Sequence, residues 1–167
     1  MLNKIASTSR YSKLVALMQA EDWQAADQET YRLMITAVGK EEGDFFTINE
    51  LLNFPCEELL AIDQFWVQHS QGKFGFSVQK EIYVDCGAKL NGKYPGDRIW
   101  EEFGDRVGWR ENNQWKSKDA LVMNPQSSLK GGLPITDGLN LIGFVYGEYG
   151  GVSSLASRLV NCSRPQS

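Results

Sequence analysis

Asn53–Lys80, NFPCEELLAIDQFWVQHSQGKFGFSVQK, carries a complete helix with its start and stop marked. Pro55 sits where a first turn tolerates proline, because the missing N–H would have no partner there anyway. Glu57 and Glu58 put negative charge near the positive end of the helix dipole. Leu59, Ile62, Phe65 and Trp66 fall on one stripe. Ser70-Gln71-Gly72 supplies a stop, with Gly72 able to take a left-handed cap. The chain then turns through Lys73-Phe74-Gly75-Phe76, and Ser77 is placed to cap a second helix, Val78 to Val84. A helix with Phe and Trp side by side, and two more Phe soon after, must lie against something large and apolar. That is the core of a small helical domain or the wall of a ligand site, and the residue types leave both open.

Toward the N-terminus, residues 1–9 suggest a frayed lead-in, and Tyr11 to Ala20 a short helix with Leu14, Leu17 and Met18 on one face. Asp22 is placed to cap a longer helix, Trp23 to Val38, ended by Gly39. Thr47-Ile48-Asn49-Glu50 has the form of a capping box, and the short helix after it presents Ile48, Leu51 and Leu52. Toward the C-terminus, glycines and a proline between Asp85 and Asp97 predict a surface excursion. Arg98 to Phe103 predicts a short helix closed by Gly104, and Glu111-Asn112-Asn113 a turn between Trp109 and Trp115. Residues 116–132 have little periodicity and predict a long loop, which inside a domain is usually functional or disordered. Residues 138–152 fit strand, helix or tail. Ser153 or Ser154 is placed to cap a last helix with Leu155, Leu159 and Val160 inward. No run alternates cleanly between apolar and polar residues, so the fold class is all-α.

At 167 residues the chain suits one domain with a real core. It has no apolar run long enough for a transmembrane segment. Residues 1–12 lack the apolar region of a signal peptide, which predicts a cytoplasmic protein. The net charge of −4 is uneven: residues 1–60 hold ten acids and five bases, residues 61–167 eleven and twelve. Neither part has the clustered basic face of a nucleic-acid binder. Cys56, Cys86 and Cys162 lack metal spacing, and an odd number argues against a disulfide framework.

Little here points to catalysis. His69 is the single histidine, so a two-His metal site is excluded; at a helix end it suits the last carbonyls. The pairs Glu41/Glu42, Glu57/Glu58 and Glu101/Glu102 are adjacent and point different ways on a helix. Lys130-Gly131-Gly132-Leu133-Pro134 lacks both the spacing of a phosphate loop and a strand before it. Cys86 is either an exposed thiol or a small buried hydrophobe. The chain is therefore not expected to be an enzyme, and no catalytic residue or metal ligand is assigned. What is abundant is flat apolar surface, from Phe45 and Phe46 through Phe74 and Phe76 to Trp109 and Trp115. A pocket for a large flat ligand needs such walls plus a few cations for its acid groups, and Lys116, Lys118 and Lys130 lie on the loop. Alternatively the aromatics pack on one another and the lysines keep the loop soluble.

The strings FPC, AIDQFWVQHSQGKFGFSVQK, FGDRVGW and GGLP resemble the tetrapyrrole-binding domain of the genomes-uncoupled-four family over residues 10–134, leaving 135–167 as a tail ending in a short helix. The resemblance implies an all-helical fold likened to a cupped hand, whose concave face binds protoporphyrin IX or Mg-protoporphyrin IX. It also implies a carrier that stimulates magnesium chelatase in chlorophyll biosynthesis and has no active site of its own. By position it implies a ligand wall of Tyr31, Ile48 and Leu51, joined by Lys118 and Val122 of the loop; Phe46, Met123 and Leu133 are further candidate ligand contacts.

The sequence also departs from the family. The His of its Gly-His-Leu-Pro motif is Gly132, a loop tryptophan is Lys118, and two arginines near the propionates are Asn140 and Gly143. The match lacks the helical N-terminal extension of the founding members, and the tail resembles that of smaller cyanobacterial relatives. A charge-assisted contact is worth about 1.5–3 kcal/mol. The resemblance therefore implies a paralogue with weakened porphyrin binding unless Lys116, Lys118 or Lys130 compensates. An open-chain tetrapyrrole (a bilin) fits the same cup with other anchors. The other expectation is an interaction module whose cup is filled by its own Val122 and Met123, with a magnesium chelatase subunit or another signalling protein as partner.

Overall fold

Trp66 has no exposed surface, and its indole Nε1 donates to Thr30 Oγ1 at 2.9 Å, which fixes α4 (Cys56–His69) against α2 (Trp23–Ala37). Around this pair the computed structural model, which describes residues 2–122, 129–136 and 151–164, places the other elements. They are α1 (Leu2–Gln19), α3 (Ile48–Leu52), α5 (Phe76–Asp85), α6 (Asp97–Val107), β1 (Arg110–Glu111), β2 (Gln114–Trp115), α7 (Lys118–Val122) and α8 (Gly151–Ser163). The all-α expectation holds, and the two strands are a single small hairpin pairing Arg110 with Trp115 and Glu111 with Gln114. Its turn is the one expected: Asn112 and Asn113 both take positive φ, +51° and +62°, which short hairpins favour.

The local signals work where expected. Asp22 accepts from the Ala25 N–H at 3.1 Å, and Thr47 and Glu50 complete a capping box on α3. Aromatic abundance goes chiefly into the core. Trp23 stacks on Trp66 with centroids 5.8 Å apart, and Phe74 meets both edge-on. A second cluster joins Trp100, Phe103, Trp109 and Trp115 to Tyr83 of α5. Such pairs add to area burial. Phe45, at 44 % exposed, is an exception.

Several expectations are corrected. The lead-in is the first half of α1, helical from Leu2. Helix α5 starts at Phe76, and its cap comes from α4: Asp63 Oδ1 accepts from the Ser77 N–H at 2.8 Å. Helix α6 runs through Gly104 to a left-handed Gly108. Gly104 is needed for packing, because a Cβ there would lie 2.5 Å from the Trp115 ring. The 116–132 segment contains α7. Ser153 and Ser154 lie buried inside α8, which begins at Gly151; residues 138–150 lie outside the described part.

The cysteine expectation fails most plainly. Cys56 and Cys162 form a disulfide, with Cα atoms 5.3 Å apart across 106 residues of sequence. The count could not reveal this, because the helix packing makes the pair: α8 lies on α3, α4 and α5, which brings its end to the start of α4. Arg158 Nε donates to the Phe54 carbonyl at 2.7 Å in the same place. Cys86 is the buried hydrophobe of the two readings, and burial pushes its thiol up although Arg106 Nη1 lies 3.6 Å from the sulfur.

Candidate functional site

A strap, residues Leu129–Thr136, lies against α2, α5 and the turn between α4 and α5 and is fixed by its own backbone. The Gly131 N–H donates to Lys73 O at 2.8 Å, and Leu133 O accepts from the Gly75 N–H at 3.0 Å. Gln79 of α5 donates to Gly131 O and Pro134 O at 3.0 and 2.8 Å. Asp27 of α2 accepts from the N–H groups of Ile135 and Thr136 at 2.6 and 3.0 Å. Gly131 takes φ +80°, and a Cβ there would lie 2.7 Å from Ile82 Cδ1, so a larger residue is strained and must displace the Ile82 side chain.

Asp27 and Gln79 were not singled out from the sequence. Both lie on buried stripes, Gln79 with Phe76 and Tyr83 and Asp27 with Trp23 and Thr30. A polar residue on a buried stripe was the available signal, since such groups need partners.

Between the strap, the end of α6, the hairpin and α7 opens a cleft of about 230 Å³. Trp109 forms its fully buried floor and donates from Nε1 to Gly132 O at 2.9 Å. Val107, Leu121 and the half-exposed Leu129 add apolar wall. Its cations are matched by acids: Arg110 lies 2.9 Å from Asp105 and 3.1 Å from Glu101, and Lys116 lies 3.1 Å from Glu111. A second concavity, about 240 Å³, lies along α1 and α2 beside Leu17 and Gln28. Its buried Glu29 is held by Arg32 and Lys13. Burial raises that carboxyl, and the two cations outweigh burial and bring it below the usual range.

The expected site residues fall in two groups. Tyr31, Phe46, Ile48 and Leu51 belong to α2, α3 and the segment between them. The Tyr31 hydroxyl donates to Asp44 O at 2.7 Å and accepts from the Gly43 N–H at 2.8 Å. Phe46 is buried edge-on to Phe54, Leu51 is buried, and Ile48 is half-buried. In the second group Lys116 lines the cleft, Lys130 is exposed on the strap, and Leu133 is wholly buried under it. Lys118 and Val122 are the two ends of α7, which packs against α2; their side chains, Met123 and Asn140 lie outside the described residues.

A family model described as GUN4-like matches residues 4–145. This chain belongs to that family. Curated relatives include the ycf53 protein of Porphyra purpurea, 32 % identical over 104 residues, covering 61 % of this chain and 40 % of that protein. The Ycf53-like protein of Synechocystis sp. is 25 % identical over 131 residues, covering 77 % and 52 %. The chloroplastic tetrapyrrole-binding protein of Arabidopsis thaliana is 36 % identical over 66 residues, covering 38 % and 25 %. The chain thus spans about half or less of these relatives' lengths. The ligand-free structure of Arabidopsis thaliana GUN4 superposes with a TM-score of 0.62 at 23 % identity, over 93 % of both chains, and shares the fold. The Gly132 backbone is used within the strap: its N–H donates to Leu129 O at 2.9 Å, and its carbonyl accepts from Trp109 Nε1.

Proposed function

We propose that this chain is a non-enzymatic tetrapyrrole-binding protein with a regulatory role in tetrapyrrole metabolism, its ligand seated against the cleft between α7 and the strap. Family membership supports the ligand class, as does the name of the Arabidopsis relative, a tetrapyrrole-binding protein. The observation that carries the position is the exposed Leu129, backed by the buried Leu121 and Trp109, beside α7, where the family resemblance puts loop contacts at Lys118 and Val122. The fit is partial. About 230 Å³ is below the ~300–1,000 Å³ usual for a ligand site, so one edge of the ring enters and the rest lies over the loop.

The cations of the cleft set the ligand's chemistry. Arg110 and Lys116 already hold carboxylates, so ligand acid groups fall to Lys118 and Lys130, or compete with Asp105 and Glu111. This suits a bilin, whose open-chain backbone can flex to bring its propionates to other cations, alongside protoporphyrin IX and its magnesium form. In this reading the second contact surface is at the half-buried Ile48, backed by the buried Tyr31, Phe46 and Leu51. The partner is a magnesium chelatase subunit or another signalling protein, and the setting is the cytoplasm. No described helix is long and apolar enough to cross a membrane.

A second reading, an interaction module that keeps the fold without the ligand, is favoured by the same paired cations and by aromatics spent in the core. Titration with deuteroporphyrin, its magnesium form and biliverdin separates the two, followed by tryptophan quenching and the visible band. Saturable micromolar quenching by one class is expected, weakened by Lys118→Ala. No saturable quenching by any of the three supports the interaction module.

A further inference from the structure

We propose that the Cys56–Cys162 disulfide is a reducible latch that docks α8 and thereby controls the wall carried by α3; the control of ligand binding rests on the tetrapyrrole reading above. Both sulfurs belong to half-buried residues at helix ends, where another thiol can reach them. Cys56 is the first residue of α4, and a helix N-terminus stabilises a thiolate, although Glu57 in the same turn opposes this. Cys162 is therefore the sulfur to attack and Cys56 the leaving group. A thiolate of a dithiol reductant bonds to Cys162 Sγ, the S–S bond breaks, and Cys56 leaves as thiolate and takes up a proton. The reductant's second thiol then displaces Cys162 and closes its own disulfide. Two electrons and two protons pass to the protein. Cys86 is buried and stands apart from the exchange.

The latch contributes to docking because the apolar interface it fastens also buries poorly paired polar groups. Val152, Leu155, Ala156 and Leu159 of α8 are buried, yet the Ser154 hydroxyl is buried among them without a hydrogen bond, and the buried Tyr83 hydroxyl meets only the Ser153 side chain, in poor hydrogen-bond geometry. Poorly paired buried hydroxyls work against docking. Among the described residues the polar fastenings are these: Ser153 Oγ accepts from the Gly92 N–H and donates to Lys89 O at 3.0 and 3.1 Å, and Arg158 donates to Phe54 O. Helix α3 is short and lies against α8, so Leu51, Ile48 and the Phe46–Phe54 contact depend on α8 staying in place. In reducing compartments such bonds are usually transient and redox-sensing.

Hydrogen exchange of the oxidised protein, the protein reduced with dithiothreitol and the Cys56→Ser/Cys162→Ser variant tests the latch. Thiol counting confirms reduction by a rise from one thiol to three. Exchange of residues 151–163 and 48–54 is expected to quicken about ten- to a thousandfold in the last two samples, while α2 and α4 stay protected. Unchanged exchange after full reduction overturns the proposal. Deuteroporphyrin and biliverdin titrations of both redox forms test the coupling, with at least about tenfold weaker binding expected on reduction, or 1.4 kcal/mol. Equal binding overturns the coupling. If neither form binds, the tetrapyrrole reading fails, and the exchange result still decides the latch.

Discussion

The strap and α8 are both late segments laid over the same helices, and they are fastened in opposite ways. The strap contributes little regular structure and is held by hydrogen bonds from α2, α5 and the α4–α5 turn; Thr136 Oγ1 is its unpartnered hydroxyl among the described residues. Helix α8 supplies a regular apolar face, but it buries the unpaired Ser154 hydroxyl near Gly92, sets Ser153 against the poorly paired Tyr83 hydroxyl of α5, and adds one covalent bond. A segment tied at many weak points holds one position under most conditions. A segment held by an apolar face, two polar side chains and one covalent tie loosens when the covalent tie is cut.

The contrast breaks first at Asp27. Asp27→Ala leaves two buried N–H groups without their acceptor, at about 1–3 kcal/mol each, so a loss of about 2–5 kcal/mol in urea unfolding is expected. A loss below about 1 kcal/mol would mean that the strap is held by packing alone. Gly131→Ala comes next, at about 1–3 kcal/mol, from overpacking against Ile82 and the strained φ.

On the α8 side the signs differ. Tyr83→Phe removes a poorly paired hydroxyl, so stability is expected to stay within about 0.5 kcal/mol or to rise. The same residue gives a pH test. Burial pushes the Tyr83 hydroxyl up to about 12, above its ordinary value of 10.0. The folded state keeps that proton longer, so this contribution is full below pH 10 and is lost as pH rises toward 12. Tyr11, which donates to Glu58, is shifted the same way, chiefly by burial. Unfolding curves between pH 9 and 12 are therefore expected to show a slope that Tyr83→Phe reduces without abolishing.

Much of the fold was legible because its signals are local. Leu59, Ile62 and Trp66 announce α4, and Asp22 and Thr47 announce helix starts within three residues of the groups they bond. What was missed is non-local: Gly104 answers to Trp115, and Cys56 answers to a residue 106 positions away. The candidate site divides in the same way. Aromatic content and loop lysines could be read directly. Whether an aromatic is floor or core depends on which helices meet, so Trp109 and Phe74 looked alike in the sequence. The acids that occupy Arg110 come from α6, up to nine residues away.

The cap that Asp63 lends to α5 makes two helices one unit of opening. Neither the start of α5 nor the buried carboxyl on α4 is satisfied without the other. Amide protons from Asp63 to Gln79 should therefore exchange through a single shared event, and the stretch that announces the fold in the sequence is also expected to be the last to let go of it.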